Sequence, residues 1–318
     1  MTAAATAGAT RRPGRQRLGR AVDRWLLPVY AAAVTCYLIL PVVVMIAFSF
    51  NDPTGRSNLN FREFSFDAWL NPLGRPGLGD AVRNSLVIAF VATLVATALG
   101  TLIALALVRY QFRGRGPVNL LIFLPMSTPE IVLGASLLTS FIASIQLPFV
   151  PEGIIYPLSI RTILIAHIMF NISYVVVTVR ARMQGFPRHL EEAAMDLGAN
   201  EWTTFWKVTF PLIFPGILAG ALLAFSLSID DFIITNFTSG VTNTFPVWVW
   251  ASIRNNLPPQ IHVIGTAVFV IAVGLVVVST FAKGATNPFT AYHGIQRRSK
   301  KGPGRASADP QVSPEEGG

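Results

Sequence analysis

Long apolar runs separated by short polar ones set the pattern of this chain. Runs able to cross about 30 Å of hydrocarbon occupy Trp25 to Phe50, Ser85 to Val108, Leu120 to Ile145, Thr162 to Val179, Leu212 to Ile229 and His262 to Phe281. The pattern predicts six transmembrane helices and an all-α polytopic fold. The polar stretch from Arg188 to Pro211 has a periodicity of its own. Leu190, Ala193, Ala194 and Leu197 recur at i, i+3, i+4 and i+7, and Gly198 stands where a helix commonly ends. Asn200 is placed to cap a second short helix carrying Trp202, Phe205 and Trp206 on one side. Two amphipathic helices of this length are unstable without a partner.

Composition supports a membrane reading. Hydrophobic residues make up 52% of the 318 and charged ones only 13%, too few for a soluble chain. The net charge of +9 would suit nucleic acid if the cations lined a folded face. They lie in tails and short loops instead, which argues against nucleic acid as a partner. Given six crossings, Arg109, Arg113, Arg115, Arg180, Arg182, Arg188, Lys207 and the basic C-terminal segment fall on the same side as the N-terminal arginines. The positive-inside rule therefore puts both termini and the 188–211 loop in the cytoplasm. The first apolar run is too long for a signal peptide and lacks an obvious cleavage site. Expected domains are a disordered basic tail over 1–24, a membrane domain over 25–283, and a disordered tail over 284–318. Cys36 lies inside an apolar run and has no internal disulfide partner.

Few residues carry candidate chemistry. No metal-ligand cluster and no phosphate loop is legible, so the chain is read as non-catalytic, binding no cofactor, with any ATP held elsewhere. Ser228-Ile229-Asp230-Asp231 closes the fifth run, about eighteen residues at 1.5 Å each from its start, near the outer mouth. Adjacent carboxylates there must be solvated or paired. Either one of them caps a short helix beginning at Phe232, or they form an anionic gate for a cationic substrate, with Phe232 and Trp69 available for cation–π contact. Glu130 follows Pro129 inside the third run, where it starts the continuing helix and meets a favourable dipole; an ionisable group at this depth is also a functional candidate. Pro41, Pro125, Pro129 and Pro215 can kink spans, lining a pathway or merely packing. Gly216 and Gly220 permit close helix approach, with a partner interface as one use. His167 and His262 are isolated, and suit packing or an interhelical hydrogen bond.

Glu192-Ala193-Ala194, then Gly198, then Val208-Thr209-Phe210-Pro211 resembles the EAA loop of permease subunits of ATP-binding-cassette importers. Val208 and Phe210 replace the usual Ile and Leu. Tyr110-Gln111-Phe112-Arg113-Gly114, Pro129-Glu130-Ile131-Val132 and Ser226 to Phe232 narrow the resemblance to the spermidine/putrescine branch. It covers about Trp25 to Phe281. The resemblance implies a type I importer permease of the MetI-like fold in the cell membrane, pairing with a homologous permease, two ATPase subunits that hold Mg-ATP, and an extracytoplasmic binding protein that delivers polyamine. It implies a substrate pathway of Trp69, Glu130, Ser228, Asp230 and Asp231, and ATPase coupling through Glu191, Glu192, Ala193, Ala194, Gly198 and Glu201. Glu130 stands where an Asp is usual. Another solute (ferric ion, an anion or another organic cation) and, in a different class, a secondary transporter or a scaffold without transport are the alternatives. An anion carrier should place basic groups where Asp230 and Asp231 stand.

Overall fold

In apolar runs of 18 to 26 residues, the backbone can satisfy its polar groups in hydrocarbon only internally, and helix is the outcome. The computed structural model describes residues 13–53, 55, 57–144, 155–185, 189–255 and 257–285. The long helices are α1 (Pro13–Phe48), α3 (Leu78–Arg109), α6 (Ile160–Gln184), α9 (Phe210–Asp230) and α12 (Pro259–Ala285). Between them lie a two-residue hairpin, β1 (Asn51–Asp52) with β2 (Glu63–Phe64), and α2 (Asp67–Leu70), α4 (Arg115–Ser127), α5 (Glu130–Ser144), α7 (His189–Asp196), α8 (Glu201–Thr204), α10 (Ile233–Thr238) and α11 (Phe245–Asn255).

Four helices are long and apolar enough to span a membrane on their own; α4 and α5 reach that length and apolarity only as a pair, and the pair is bent by 112°. The break falls at Pro129, whose ring cannot continue the ladder. The third apolar run is therefore two helices set at an angle. α12 is 27 residues long. The chain divides into two units, 1–263 and 264–318, the described part of the second being the rest of α12.

Helix starts earlier than hydropathy indicates. Residues 13–24, expected to be disordered, belong to α1, because Pro13 suits a first helical position and Arg, Gln, Leu and Ala propagate a helix well. Residues 1–12 and 286–318, most of the two expected tails, lie outside the described residues, as does Arg188 at the start of the expected coupling loop.

The hub is α6. Of its apolar window 56% is buried, against 33% for α3, 28% for α9 and none for α1. Ala104 and Leu107 of α3, Val175, Val176 and Val179 of α6, and Ile213 and Ala224 of α9 form the core between these three helices. Close approach depends on absent side chains: a Cβ on Gly216 would stand 2.6 Å from Cβ of Arg182. Gly216 and Gly220 thus serve packing of α9 on α6 within the chain, not the partner interface considered for them. A second cluster, Leu133, Ala166, Phe170 and Ile234, joins α5, α6 and α10.

At its start α9 is not a regular α-helix. Phe205–Thr209 makes a π-turn, with Phe210 N–H bonding Phe205 O, five residues back. The polar stretch between α6 and α9 therefore runs from α8 through this turn directly into a membrane helix.

Candidate functional site

Two cavities collect most of the residues singled out by the sequence. One, of about 710 Å³, lies between the α4–α5 break, α6 and the end of α9; Glu130, Asp230 and Asp231 line it with Phe170, Tyr174 and Phe232. The broken span delivers Glu130, which opens α5 and is exposed. The end of α9 delivers Asp230, also exposed. Two carboxylates far apart in sequence thus face one chamber with Phe170, Tyr174 and Phe232 in its wall, an arrangement suited to a cation.

Asp231 has a different setting. Its backbone leaves the helix (φ −62°, ψ 122°), and its Oδ2 accepts the Thr235 N–H at 2.7 Å and the Thr235 hydroxyl at 2.7 Å. It caps α10, one of the two roles open for the pair. His167 Nε2 stands 3.3 Å from the same oxygen, and the two side chains are only 1% and 6% exposed. Ser228 is buried and bonds His167 Nδ1 at 2.5 Å. Neither Ser228 nor the carboxylate of Asp231 is presented as openly as Asp230. His167 makes the interhelical hydrogen bonds expected of it, to Ser228 and to Thr235 Oγ1 at 2.9 Å.

Trp69 lies elsewhere. It stacks on Phe50 at 5.4 Å and its Nε1–H donates to Ser49 Oγ at 3.3 Å, and it is not among the residues lining the cavity. Phe232 lines the cavity and packs on Trp250 at 5.2 Å. Tyr174 and Phe170, which sequence reasoning did not single out, form its α6 wall. Only their i, i+4 spacing could have paired them.

The second cavity, of about 900 Å³, lies beside α7 and α8, and Glu191, Glu192 and Glu201 line it with Arg109 and Trp202. Gly198 adopts φ +87°, and Gly198 N–H to Met195 O (2.9 Å) with Ala199 N–H to Ala194 O (3.1 Å) completes a Schellman stop after α7. Asn200 caps α8 through Thr203 N–H at 2.8 Å. Leu190, Ala193 and Leu197 are exposed, Leu197 by 90%, so these positions on the apolar face of α7 are left open by the described residues. Glu192 is exposed, whereas Glu191 is buried. Glu191 accepts hydrogen bonds from Arg109 at the end of α3 and from Thr209 in the π-turn. It ties the loop to two membrane helices.

An all-α membrane bundle with an acidic chamber and a loop of this form defines a transport permease. Residues 96–288 match the binding-protein-dependent transport system inner membrane component family, and the chain belongs to it. It is 34% identical over 257 residues to the spermidine/putrescine transport system permease protein PotC of Haemophilus influenzae, covering 80% of this chain and 95% of that one. To PotC of Escherichia coli it is 33% identical over 260 residues (81% and 94% covered). To the putrescine transport system permease protein PotI of Escherichia coli it is 35% identical over 260 residues (79% and 88% covered). In fold it resembles a chain of a bacterial ABC transporter involved in import of the acidic polysaccharide alginate, at a TM-score of 0.57 and 17% identity, covering 88% of this chain and 100% of that one. A chain of a bacterial alginate ABC transporter in complex with an alginate pentasaccharide-bound periplasmic protein aligns at a TM-score of 0.56 and 16% identity, covering 86% of this chain and 98% of that one. The expected class, an all-α multi-pass importer permease, is what the fold and the family establish.

Proposed function

We propose that this chain is the permease subunit of an ATP-driven importer that passes polyamine across the cell membrane. The observation that carries the reading is the joint exposure of Glu130 and Asp230 to one chamber walled by Phe170, Tyr174 and Phe232. A polyamine is a flexible chain of methylenes and ammonium groups. Carboxylates replace part of the hydration of the ammonium groups, while aromatic faces take the methylenes and add cation–π attraction of about 0.5–2 kcal/mol each. The names of the PotC and PotI relatives point to the same solute class.

The chain crosses six times in this reading, α12 being the sixth span, with both termini in the cytoplasm. A homologous permease completes the pathway, an extracytoplasmic binding protein delivers solute, and one of two ATPase subunits holding Mg-ATP docks on α7. The uncovered Leu190, Ala193 and Leu197 supply an apolar helix face for a groove on the ATPase. Nucleotide-driven closure of the ATPases displaces α7, and the Glu191 tie carries the displacement to α3 and α9. The chamber then alternates between outward and inward access. No bond chemistry takes place on this chain.

The test is uptake of radiolabelled putrescine and spermidine by the reconstituted complex carrying Asp230→Asn with Glu130→Gln. Each lost charge-assisted contact is worth about tenfold, so uptake of both solutes should fall about a hundredfold with assembly intact. Unchanged uptake would sink the cation reading.

A further inference from the structure

A helix that stops within a membrane leaves carbonyl groups without donors, and α4 stops in this way. Its 13 residues rise about 20 Å, short of the hydrocarbon thickness. Thr128 then gives both of its donors to one acceptor: its N–H reaches Leu124 O at 3.0 Å and its hydroxyl reaches the same oxygen at 2.7 Å. In a continuing helix the next carbonyl, of Pro125, would take the N–H of residue 129. That residue is Pro129, which has none. The carbonyls of Met126 and Ser127 would take the N–H groups of Glu130 and Ile131, but these belong to α5, which has turned off at 112°. Among the described residues no hydrogen bond reaches the three oxygens. Pro125, Met126 and Ser127 all line the 710 Å³ chamber, together with Glu130, Asp230 and Asp231. Carbonyls at a helix end project along the axis and give that end about half an elementary negative charge. The end of α4 is thus a negative part of the chamber wall that is independent of any carboxylate. α5 begins at the same break, and Glu130 in its first turn offsets the positive charge of that end.

We propose that the open end of α4 is a subsite for one primary ammonium group of the solute, the carbonyls of Pro125, Met126 and Ser127 accepting its N–H groups while the carboxylates of the chamber supply the formal counter-charge. This rests on the polyamine reading above. A primary ammonium carries three N–H donors, and carbonyls freed within a membrane are tolerated where they line a cavity that brings them donors. Each side supplies what the other lacks. Carbonyls also differ from carboxylates and rings in what they recognise. They need an N–H, whereas a carboxylate or an aromatic face attracts a quaternary ammonium as well. The subsite therefore selects amines with unsubstituted ends, not positive charge as such.

Met126 is the only methionine followed by serine, so isotopic labelling of methionine carbonyl carbons and serine nitrogens singles out its carbonyl by solid-state NMR. In the reconstituted complex this signal should move downfield on adding putrescine and stay in place on adding the same diamine with both nitrogens fully methylated. Pro129→Ala restores an N–H within reach of Pro125 O. In that variant the preference for the unsubstituted diamine, read as the ratio of the concentrations that half-displace radiolabelled putrescine, should fall about tenfold, the factor one charge-assisted contact supplies. Should Pro129→Ala lose both ligands alike, the Met126 signal of the parent protein decides. If that signal stays in place with putrescine, or moves equally with the methylated diamine, while Asp230→Asn still impairs uptake, the subsite is overturned and the chamber reading stands. If Asp230→Asn leaves uptake intact, the chamber reading fails and takes this proposal with it.

Discussion

Residue identity sets less here than residue surroundings. Asp230 and Asp231 share one chemistry, but the helix end turns one outward and leaves the other over the first turn of α10, where Thr235 supplies two donors. Gly216 makes the same point without a side chain. Its worth lies in the space it leaves for the stem of Arg182, whose Nε–H also donates to Leu212 O at 3.0 Å. Gly216→Val would force α6 and α9 apart where the last turn of α6 meets the second turn of α9. Overpacking of this kind costs about 1–3 kcal/mol. The variant should melt several degrees lower in detergent by intrinsic fluorescence, and a melt that matches the parent protein would remove Gly216 from the packing argument.

At the scale of elements, local signals were legible in sequence and distant ones were not. Asn200 as a cap, Gly198 as a stop and Pro129 as a break all act within a few residues, and each appears where spacing placed it. The four-residue spacing of Gly216 and Gly220 was equally plain, but no local rule says which helix comes close, and the answer was α6 of the same chain. His167 bonds groups 61 and 68 residues away, and Arg109 meets Glu191 across 82. Such pairs depend on how helices are set side by side, which periodicity does not encode. Glu191 shows the cost of that blindness: in sequence it is one more acid beside Glu192, yet it alone is buried between α3, α7 and the π-turn. Removing a partner from a buried hydrogen-bonded charge costs about 1–3 kcal/mol or more. Glu191→Ala should therefore loosen the loop from α3 and α9, lowering solute moved per ATP severalfold while binding-protein-stimulated hydrolysis continues. Tight coupling in the variant would show that the loop transmits by another route.

On the scale of the whole molecule, the described apolar surface is largely uncovered. None of the apolar window of α1 is buried, and Trp25, Leu27, Tyr30 and Tyr37 are each more than half exposed. In water such a surface would aggregate; in hydrocarbon it costs nothing. Cys36, the one cysteine of the chain, sits exposed on this helix and reports on its surroundings without further mutation. A membrane-impermeant maleimide should leave it unlabelled from either face of intact vesicles and react only after denaturation. Ready labelling from one face would place α1 at a water-filled boundary instead.

The π-turn at Phe205–Thr209 has a geometric result that reaches the far end of α9. A turn of this type holds one residue more than its α-helical counterpart, and one residue is about 100° of rotation. Everything downstream is clocked round by that amount relative to α8, so the compass bearing of Asp230, at the opposite rim, is fixed by a supernumerary residue more than twenty positions upstream. The loop beneath the bundle and the acid above it are therefore indexed to each other by a single insertion.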